Sequence, residues 1–118
     1  MNNNLNEQLL LLPEYLQGHL ILTLSAMLIG AAISVPLGIW AAQSKTVRTP
    51  ILTTVSIIQT IPSLAILALV VAMLGGRIGF LPAFIGLTLY CMLPIIRNTL
   101  TGIETVSEDV SKPPEVSV

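Results

Sequence analysis

Three long stretches without a charged side chain limit what this sequence can fold into. No Asp, Glu, Lys or Arg occurs between Glu14 and Lys45, between Arg48 and Arg77, or between Arg77 and Arg97. A helix needs about 20 predominantly apolar residues to cross the roughly 30 Å hydrocarbon core of a bilayer, and each stretch is about that long or longer. The pattern predicts an all-α integral membrane protein with three transmembrane helices.

The composition narrows the possible functions. The 118 residues are 53% hydrophobic and 9% charged, whereas soluble domains contain roughly 25% charged residues. The five scattered basic residues form no patch for nucleic acid. The single cysteine, Cys91, excludes an intrachain disulfide and a Cys-based metal cluster, and we expect it to be a packing residue. Without a nucleophile–base pair, paired intramembrane carboxylates or a phosphate loop, we expect no enzyme activity, metal site or ATP site in this chain.

The spans are predicted at residues 19–42, 51–74 and 78–97, with connections at 43–50 and 75–77. Lys and Arg favour the cytoplasmic side of a membrane. Lys45 and Arg48 lie in the first connection, Arg77 alone lies in the second, and no Lys or Arg precedes Lys45. This distribution predicts a multi-pass protein of the cell membrane with its N-terminus outside and its C-terminus inside.

The segment before the first span does not resemble a signal peptide, which begins with positive charge and ends at a small-residue cleavage site. Its apolar run Leu9–Leu12 is followed by Pro13, and we expect residues 5–17 to be interfacial or frayed. The predicted organisation is an extracytoplasmic or interfacial segment at 1–18, a transmembrane domain at 19–110 and a cytoplasmic tail at 111–118.

The first span carries a regular row of small side chains. They recur every four residues, as Ala26, Gly30, Ser34, Gly38 and Ala42. Residues four apart share one helix face, and small residues let membrane helices approach closely. The row predicts a tightly packed face, although Gly and Ala are also simply common in membrane helices.

Each span contains a proline: Pro36, Pro62 and Pro94. An interior proline removes one backbone hydrogen bond and kinks the helix. Pro62 lies mid-span, its freed carbonyl would be that of Ile58, and Gln59, Thr60 and Ser63 cluster around it. Polar groups at this depth are expected to face protein or water. Two interpretations are open: a kink patched by local hydroxyls within a helix interface, or the lining of a transport path.

Two sequence strings resemble a known family. Residues 57–63 read Ile-Ile-Gln-Thr-Ile-Pro-Ser, and residues 93–99 read Leu-Pro-Ile-Ile-Arg-Asn-Thr. Together with Ile33-Ser34-Val35-Pro36-Leu37-Gly38-Ile39, they resemble the permease subunits of binding-protein-dependent ABC importers. Within these, the chain is most similar to the osmoprotectant branch, which imports glycine betaine, carnitine, choline or proline betaine. The resemblance covers roughly residues 15–110.

The resemblance implies partners that the spacing does not reveal. It implies a pair of permease subunits, identical or different, an ABC ATPase pair that binds the ATP, and an extracytoplasmic substrate-binding protein. It also implies that the segment after the third span lies in the cytoplasm. Discontinuous helices near the midplane often build transport sites. By this argument Gln59, Thr60, Pro62 and Ser63 are expected to line the translocation path. Tyr90 is added because quaternary ammonium groups favour aromatic faces and it is the aromatic residue at a plausible interior position.

Further predictions concern residues at the edges of the membrane. Arg97, Asn98 and Thr99 are expected at the cytoplasmic membrane edge, where Arg97 is either an interfacial anchor or a contact to a coupling loop. His19, at the head of the first span, is expected to be an interfacial residue. Tyr15 and Trp40 are likewise expected to anchor the membrane interface, where aromatic residues are enriched.

The resemblance is incomplete at the C-terminal end. The family continues into a cytoplasmic coupling loop with a Glu-Ala-Ala signature, whereas this sequence ends Ser-Lys-Pro-Pro-Glu-Val-Ser-Val. The chain is therefore expected to be the N-terminal part of an ABC permease core. Three hypotheses stay open: an osmoprotectant permease that ends early, a small interaction subunit or permease fragment without transport activity, and a self-sufficient small transporter. The last is the weakest, because no acidic residue lies within the spans.

Overall fold

Four helices account for most of the described chain. The computed structural model describes residues 2–111, and in this range it contains α1 (Asn2–Ala42), α2 (Lys45–Ile58), α3 (Ser63–Met73) and α4 (Phe80–Ser111). No strand occurs among these residues, which agrees with the predicted all-α class. Met1 and residues 112–118 lie outside the described range, and with them all of the predicted tail except Ser111.

The helices provide two or three candidate membrane spans. α1 and α4 are each long and apolar enough to cross a bilayer by themselves. α2 and α3 qualify only together, as a pair bent by 93°. The middle span, predicted as one kinked helix, is therefore two short helices that meet at a sharp hinge, formed by residues 59–62.

Pro62 explains why the middle span breaks. Its backbone is extended, with φ −58° and ψ 139°, and a proline disfavours helical geometry in the residue before it. The Ile58 carbonyl, which an amide at position 62 would have bonded, instead accepts the Ile61 N–H at 2.9 Å. The Pro62 carbonyl accepts the Ala65 N–H at 2.9 Å and thereby starts α3. The hinge therefore satisfies these carbonyls locally.

The connections differ from the predicted ones. The first was predicted at residues 43–50, but only Gln43 and Ser44 separate α1 from α2. Pro50 lies inside α2, where it removes a single amide bond while its fixed φ suits a helix. The second connection is longer than residues 75–77 and includes Gly75 (φ 74°) and Gly76 (φ 83°), a conformation that glycine adopts without steric cost.

α1 extends well beyond the predicted first span. Residues 5–17 are not frayed, because α1 is helical from Asn2 and continues through Pro13 and Pro36. Their interfacial placement stays a prediction. At 1.5 Å per residue, the 41 residues of α1 span about 61 Å. Residues 3–20 are all exposed. This part of α1 therefore projects from the helix bundle as a single helical arm.

α1 and α4 run parallel along most of their contact. Near one end, Cys91 Sγ lies 3.6 Å from the Ala26 carbonyl oxygen, and further along both helices Gly38 lies against Thr99. Residue numbers thus increase together on the two helices, and the same register brings Phe80 level with His19. The α2–α3 pair must therefore return the chain over about 35 Å, the length of a helix from His19 to Ala42. This makes the pair a single broken span.

The best-buried apolar cluster lies where α1, α2 and α4 meet. It consists of Ala41, Ala42 and Leu100, with Val47, Ile51, Leu52 and Ile103 packed against it. Elsewhere many large apolar side chains are exposed, including Leu28, Leu64 and Met73. Such a surface suits a lipid solvent, in which apolar side chains need no burial against protein. α4, predicted to leave the membrane near Arg97, continues as a helix to Ser111.

Candidate translocation site

A cavity of about 170 Å³ lies beside the hinge, between α1, α3 and α4. Its wall is mostly aliphatic and consists of Leu22, Ser63, Leu64, Leu67, Ala83, Gly86, Leu87 and Tyr90. The side-chain hydroxyl groups in this wall belong to Ser63 and Tyr90. Both residues were predicted for the translocation path from the sequence. The cavity therefore combines an apolar interior with two hydroxyl groups from two different helices.

Local sequence explains how the two hydroxyl-bearing residues come together. Ser63 is the first residue of α3 and follows Pro62 directly, so the hinge determines its position. Tyr90 shares a face of α4 with Gly86, four residues earlier. A Cβ atom at Gly86 would lie 3.3 Å from Leu67 Cδ1 and 3.6 Å from Leu67 Cα. The small residue at position 86 therefore lets α3 approach α4 beside the cavity.

A second polar pair continues the same seam between the hinge and α4. The Arg97 guanidinium donates a hydrogen bond of 3.2 Å from Nη1 to Gln59 Oε1. Arg97 lies seven residues after Tyr90, two turns further along the same face of α4. Gln59 lies in the hinge, four residues before Ser63. Gln59 is half-buried and Arg97 is exposed. The seam thus carries two levels of polar side chains.

The other predicted path residues lie apart from the cavity wall. The Thr60 hydroxyl donates a 2.6 Å hydrogen bond to the Ile57 carbonyl. Thr60 lines a separate shallow groove of about 400 Å³ with Leu52, Thr53, Ser56 and Ile57. Pro62 is exposed and forms the N-terminal boundary of α3. The structure therefore places Ser63 and Tyr90 in one cavity wall and joins Gln59 to Arg97 by a hydrogen bond, while Thr60 faces a different surface.

The row of small residues on α1 is buried throughout. Ala26, Gly30, Ser34, Gly38 and Ala42 are all buried. A Cβ atom on Gly30 would collide with Cys91 Sγ, and one on Gly38 would lie 2.8 Å from both Cβ and Cγ2 of Thr99. The row thus forms the surface of α1 against which α4 packs. Among the described residues, the Ser34 hydroxyl has no hydrogen-bond partner.

The three residues predicted for the cytoplasmic edge point in different directions. Thr99 is half-buried against Gly38 of α1. Asn98 is exposed, and Arg97 contacts Gln59 at the hinge. α4 positions these consecutive residues at successive angles around its axis, so they do not form one cluster.

Sequence reasoning missed an ion pair that ties three helices together. Arg48 of α2 contacts Glu104 of α4 at 3.2 Å and donates a 2.6 Å hydrogen bond to the Ala42 carbonyl at the end of α1. In the prediction from the sequence, Arg48 was used only to assign the orientation of the spans. The spacing gave no signal for its partner, because 56 residues separate Arg48 from Glu104. Among the described residues, no cluster of three or more His, Cys, Asp or Glu could hold a metal ion.

Comparison with known proteins identifies the family. Residues 34–112 match the family described as "Binding-protein-dependent transport system inner membrane component". The chain belongs to this family. The resemblance seen in the Gln-Thr-Ile-Pro-Ser and Leu-Pro-Ile-Ile-Arg-Asn-Thr strings is thereby confirmed, as is a multi-pass membrane protein. The family description refers to transport systems that depend on a binding protein.

Several relatives in this family carry names from osmoprotectant transport. The chain is 45% identical to a carnitine transport permease of Listeria monocytogenes over 92 residues, which are 78% of this chain and 41% of the relative. It is 42% identical to a choline transport system permease of Bacillus subtilis, covering 78% of this chain and 42% of the relative. An osmoprotectant import permease of Salmonella typhimurium is 37% identical, with 75% and 42% covered.

The match has a defined extent. The chain spans about two fifths of the length of the relatives it matches. No solved structure matches the chain.

Proposed function

We propose that this chain is a transmembrane permease component of an ATP-driven importer of osmoprotectants such as glycine betaine, carnitine or choline. The observation that carries the proposal is the similarity of most of the chain to permeases named for carnitine, choline and osmoprotectant transport. The described residues add a hinge in the middle span and a cavity beside it. Both features suit a transporter better than a plain membrane anchor.

The proposed translocation path passes the hinge cavity. Ser63 and Tyr90 form its polar wall, Gln59 lies next to it, and Pro62 keeps the middle span broken. A quaternary ammonium group is attracted to the face of an aromatic ring, so the Tyr90 ring is the proposed contact for the substrate cation. We leave Thr60 out of the path, because its hydroxyl is bonded to the Ile57 carbonyl and its groove lies on α2.

The proposed partners supply the energy, the delivery of substrate and the rest of the pathway. An ABC ATPase subunit binds ATP and drives the change in access, an extracytoplasmic binding protein delivers the substrate, and a second permease subunit completes the pathway. The chain itself performs no chemical reaction in this proposal. Alternating access requires one element that can move against another around the site, and the hinge between α2 and α3 is the proposed moving part.

The proposed orientation has the N-terminus outside and the end of α4 inside. Lys45 and Arg48 lie in the first turns of α2, next to the C-terminal end of α1. Arg97 lies toward the same end of the bundle, because α1 and α4 are parallel. Three of the four described Lys and Arg residues therefore lie toward one end of the bundle, which the inside-positive rule assigns to the cytoplasm. In this orientation the segment 1–18 is extracytoplasmic or interfacial.

The proposal is tested by uptake in cells. A strain without osmoprotectant transporters would express this protein together with an ATPase and a binding protein from an osmoprotectant importer. We expect uptake of radiolabelled glycine betaine, carnitine or choline above the level without this protein, and loss of uptake when the ATPase is inactivated. Uptake equal to the empty vector for all three compounds, with the protein present in the membrane, would refute the proposal.

A further inference from the structure

Arg97 is the least compensated cation at the candidate site. Its guanidinium contacts the neutral amide oxygen of Gln59 at 3.2 Å. Among the described side chains, no carboxylate lies within 4.0 Å of Arg97, whereas Arg48 is paired with Glu104. A guanidinium carries five N–H donors in a planar fork, and the bond to Gln59 occupies one nitrogen. Arg97 therefore retains both its charge and the donors that a carboxylate would accept.

The position of Arg97 relates this cation to the cavity. Tyr90, in the cavity wall, and Arg97 share a face of α4, about 10 Å apart along the axis. Side chains in a helix lean toward its N-terminus, so Arg97 is inclined toward Tyr90. On the facing side, Gln59 lies in the hinge, four residues before the cavity residue Ser63. The aromatic ring of Tyr90 and the guanidinium of Arg97, which has no carboxylate partner among the described side chains, thus follow one another along α4.

We infer that Arg97 binds the carboxylate of a zwitterionic quaternary ammonium substrate, in exchange for its hydrogen bond to Gln59. This inference rests on the proposed function and specifies its substrate class. The cationic head of the substrate lies against Tyr90, and its carboxylate replaces the Gln59 amide on the guanidinium. Paired, often bidentate hydrogen bonds to carboxylate are stronger than a single bond to a neutral amide. The site therefore selects carboxylated compounds such as glycine betaine over choline, which has a hydroxyl group in place of the carboxylate.

In the inferred exchange of hydrogen-bond partners at Arg97, Gln59 links substrate binding to the hinge. Without substrate, its amide holds the guanidinium at the hinge. With substrate, the released amide no longer ties α4 to residues 59–62. Binding of the carboxylate thereby frees the hinge from α4, whereas binding of choline leaves this contact in place.

The decisive experiment measures binding, independently of transport. The purified protein in lipid nanodiscs is titrated with radiolabelled glycine betaine and, separately, with radiolabelled choline. We expect the Arg97→Gln variant to bind glycine betaine about tenfold or more weakly, a loss of about 1.4 kcal/mol or more, and to bind choline as the wild type does. Arg77→Gln is the matched control, because it removes an exposed guanidinium from the connection between α3 and α4. It should change neither affinity.

A second variant separates carboxylate binding from a purely structural bond. In the inferred exchange, Gln59 competes with the substrate, so Gln59→Leu should raise the affinity for glycine betaine while Arg97→Gln lowers it. If the bond only held α4 to the hinge, both variants would weaken binding of both compounds equally. That result would overturn the inference, as would an Arg97→Gln variant with unchanged affinity for glycine betaine or a wild type that binds neither compound.

An anionic lipid headgroup could supply the same anion to an exposed arginine. The titrations are therefore repeated in nanodiscs with and without phosphatidylglycerol. We expect the glycine betaine effect of Arg97→Gln in both. If the variant loses bound phosphatidylglycerol but binds glycine betaine normally, Arg97 is a lipid anchor and the inference is wrong. The proposed function is judged separately: uptake without a preference for carboxylated compounds supports transport while refuting the role of Arg97.

Discussion

Gly38 of α1 lies directly against Thr99 of α4, with no room for a side chain between them. A Cβ atom on Gly38 would lie 2.8 Å from both Cβ and Cγ2 of Thr99 and 3.4 Å from the Ile96 carbonyl oxygen. Thr99 Cβ is attached to the α4 backbone, so rotation of the side chain cannot relieve this contact. The parallel packing of the two long helices therefore depends on glycine at position 38.

The first prediction follows from this contact. Gly38→Ala should destabilise the protein by about 1–3 kcal/mol, the usual cost of overpacking a close contact. Gly18→Ala, in the exposed arm of the same helix, has nothing within 4 Å of its added Cβ and should stabilise by about 0.5–1 kcal/mol through helix propensity. Detergent unfolding followed by Trp40 fluorescence measures both. Equal stability of the two variants would contradict the close packing.

The second prediction concerns Gly30, whose added Cβ would collide with Cys91 Sγ. Here the obstacle is the end of a side chain, so removing it should restore space. Gly30→Ala should reduce stability, and Cys91→Ala in the same chain should recover most of the loss. The same Cys91→Ala change should not rescue Gly38→Ala, because Cys91 does not contact that site. Unfolding midpoints of the single and double variants test this, and rescue of both glycine variants would argue against a local effect.

The third prediction concerns Arg48, which joins α2 to the end of α1 and to α4. A double-mutant cycle with Arg48→Ala and Glu104→Ala should give a coupling energy of about 0.5–1 kcal/mol, because both side chains are partly exposed to solvent. Arg48→Ala should be the more costly single change, since it also removes the 2.6 Å hydrogen bond to the Ala42 carbonyl. Thermal unfolding in detergent gives the four stabilities. Zero coupling would mean that the ion pair does not stabilise the bundle.

The fourth prediction compares two prolines in the middle span. Pro62→Ala restores an amide at the hinge and should let α2 and α3 straighten from their 93° bend. Spin labels at Thr54 and Ala72, both exposed, should then move toward the roughly 27 Å expected for 18 residues of continuous helix. Pro50→Ala, within α2, should leave the distance unchanged. If Pro62→Ala also leaves it unchanged, contacts with α4 rather than Pro62 maintain the bend.

Periodicity and charge spacing predicted the features that depend on residues within one segment of the chain. The three charge-free stretches gave the all-α class, and the four-residue repeat from Ala26 to Ala42 identified the face of α1 that the structure buries against α4. The polar cluster at Pro62 identified the position of the hinge. In each case the signal lies within one segment, where helix geometry alone relates residues to one another.

Contacts between residues that are far apart in the sequence could not be predicted from periodicity or charge spacing. No spacing pattern relates Arg48 to Glu104, or Arg97 to Gln59, because such contacts depend on how the helices pack. Residues 43–50 were predicted to be a connection, and residues 5–17, in which Pro13 follows the apolar run Leu9–Leu12, were placed outside the first helix. A proline removes one hydrogen bond from a long helix, and neighbouring turns can hold the helix together.

The last prediction tests whether the hinge cavity carries substrate. Gly86→Ala would place a Cβ 3.3 Å from Leu67 Cδ1, so the Leu67 side chain would have to move within the cavity wall that it shares with Ser63 and Tyr90. We expect lower osmoprotectant uptake with little loss of stability, because a flexible side-chain end can move. Gly102→Ala on the same helix has nothing within 4 Å and should transport normally. Uptake by Gly86→Ala equal to that of Gly102→Ala, at equal protein levels in the membrane, would show that substrate does not pass through this cavity.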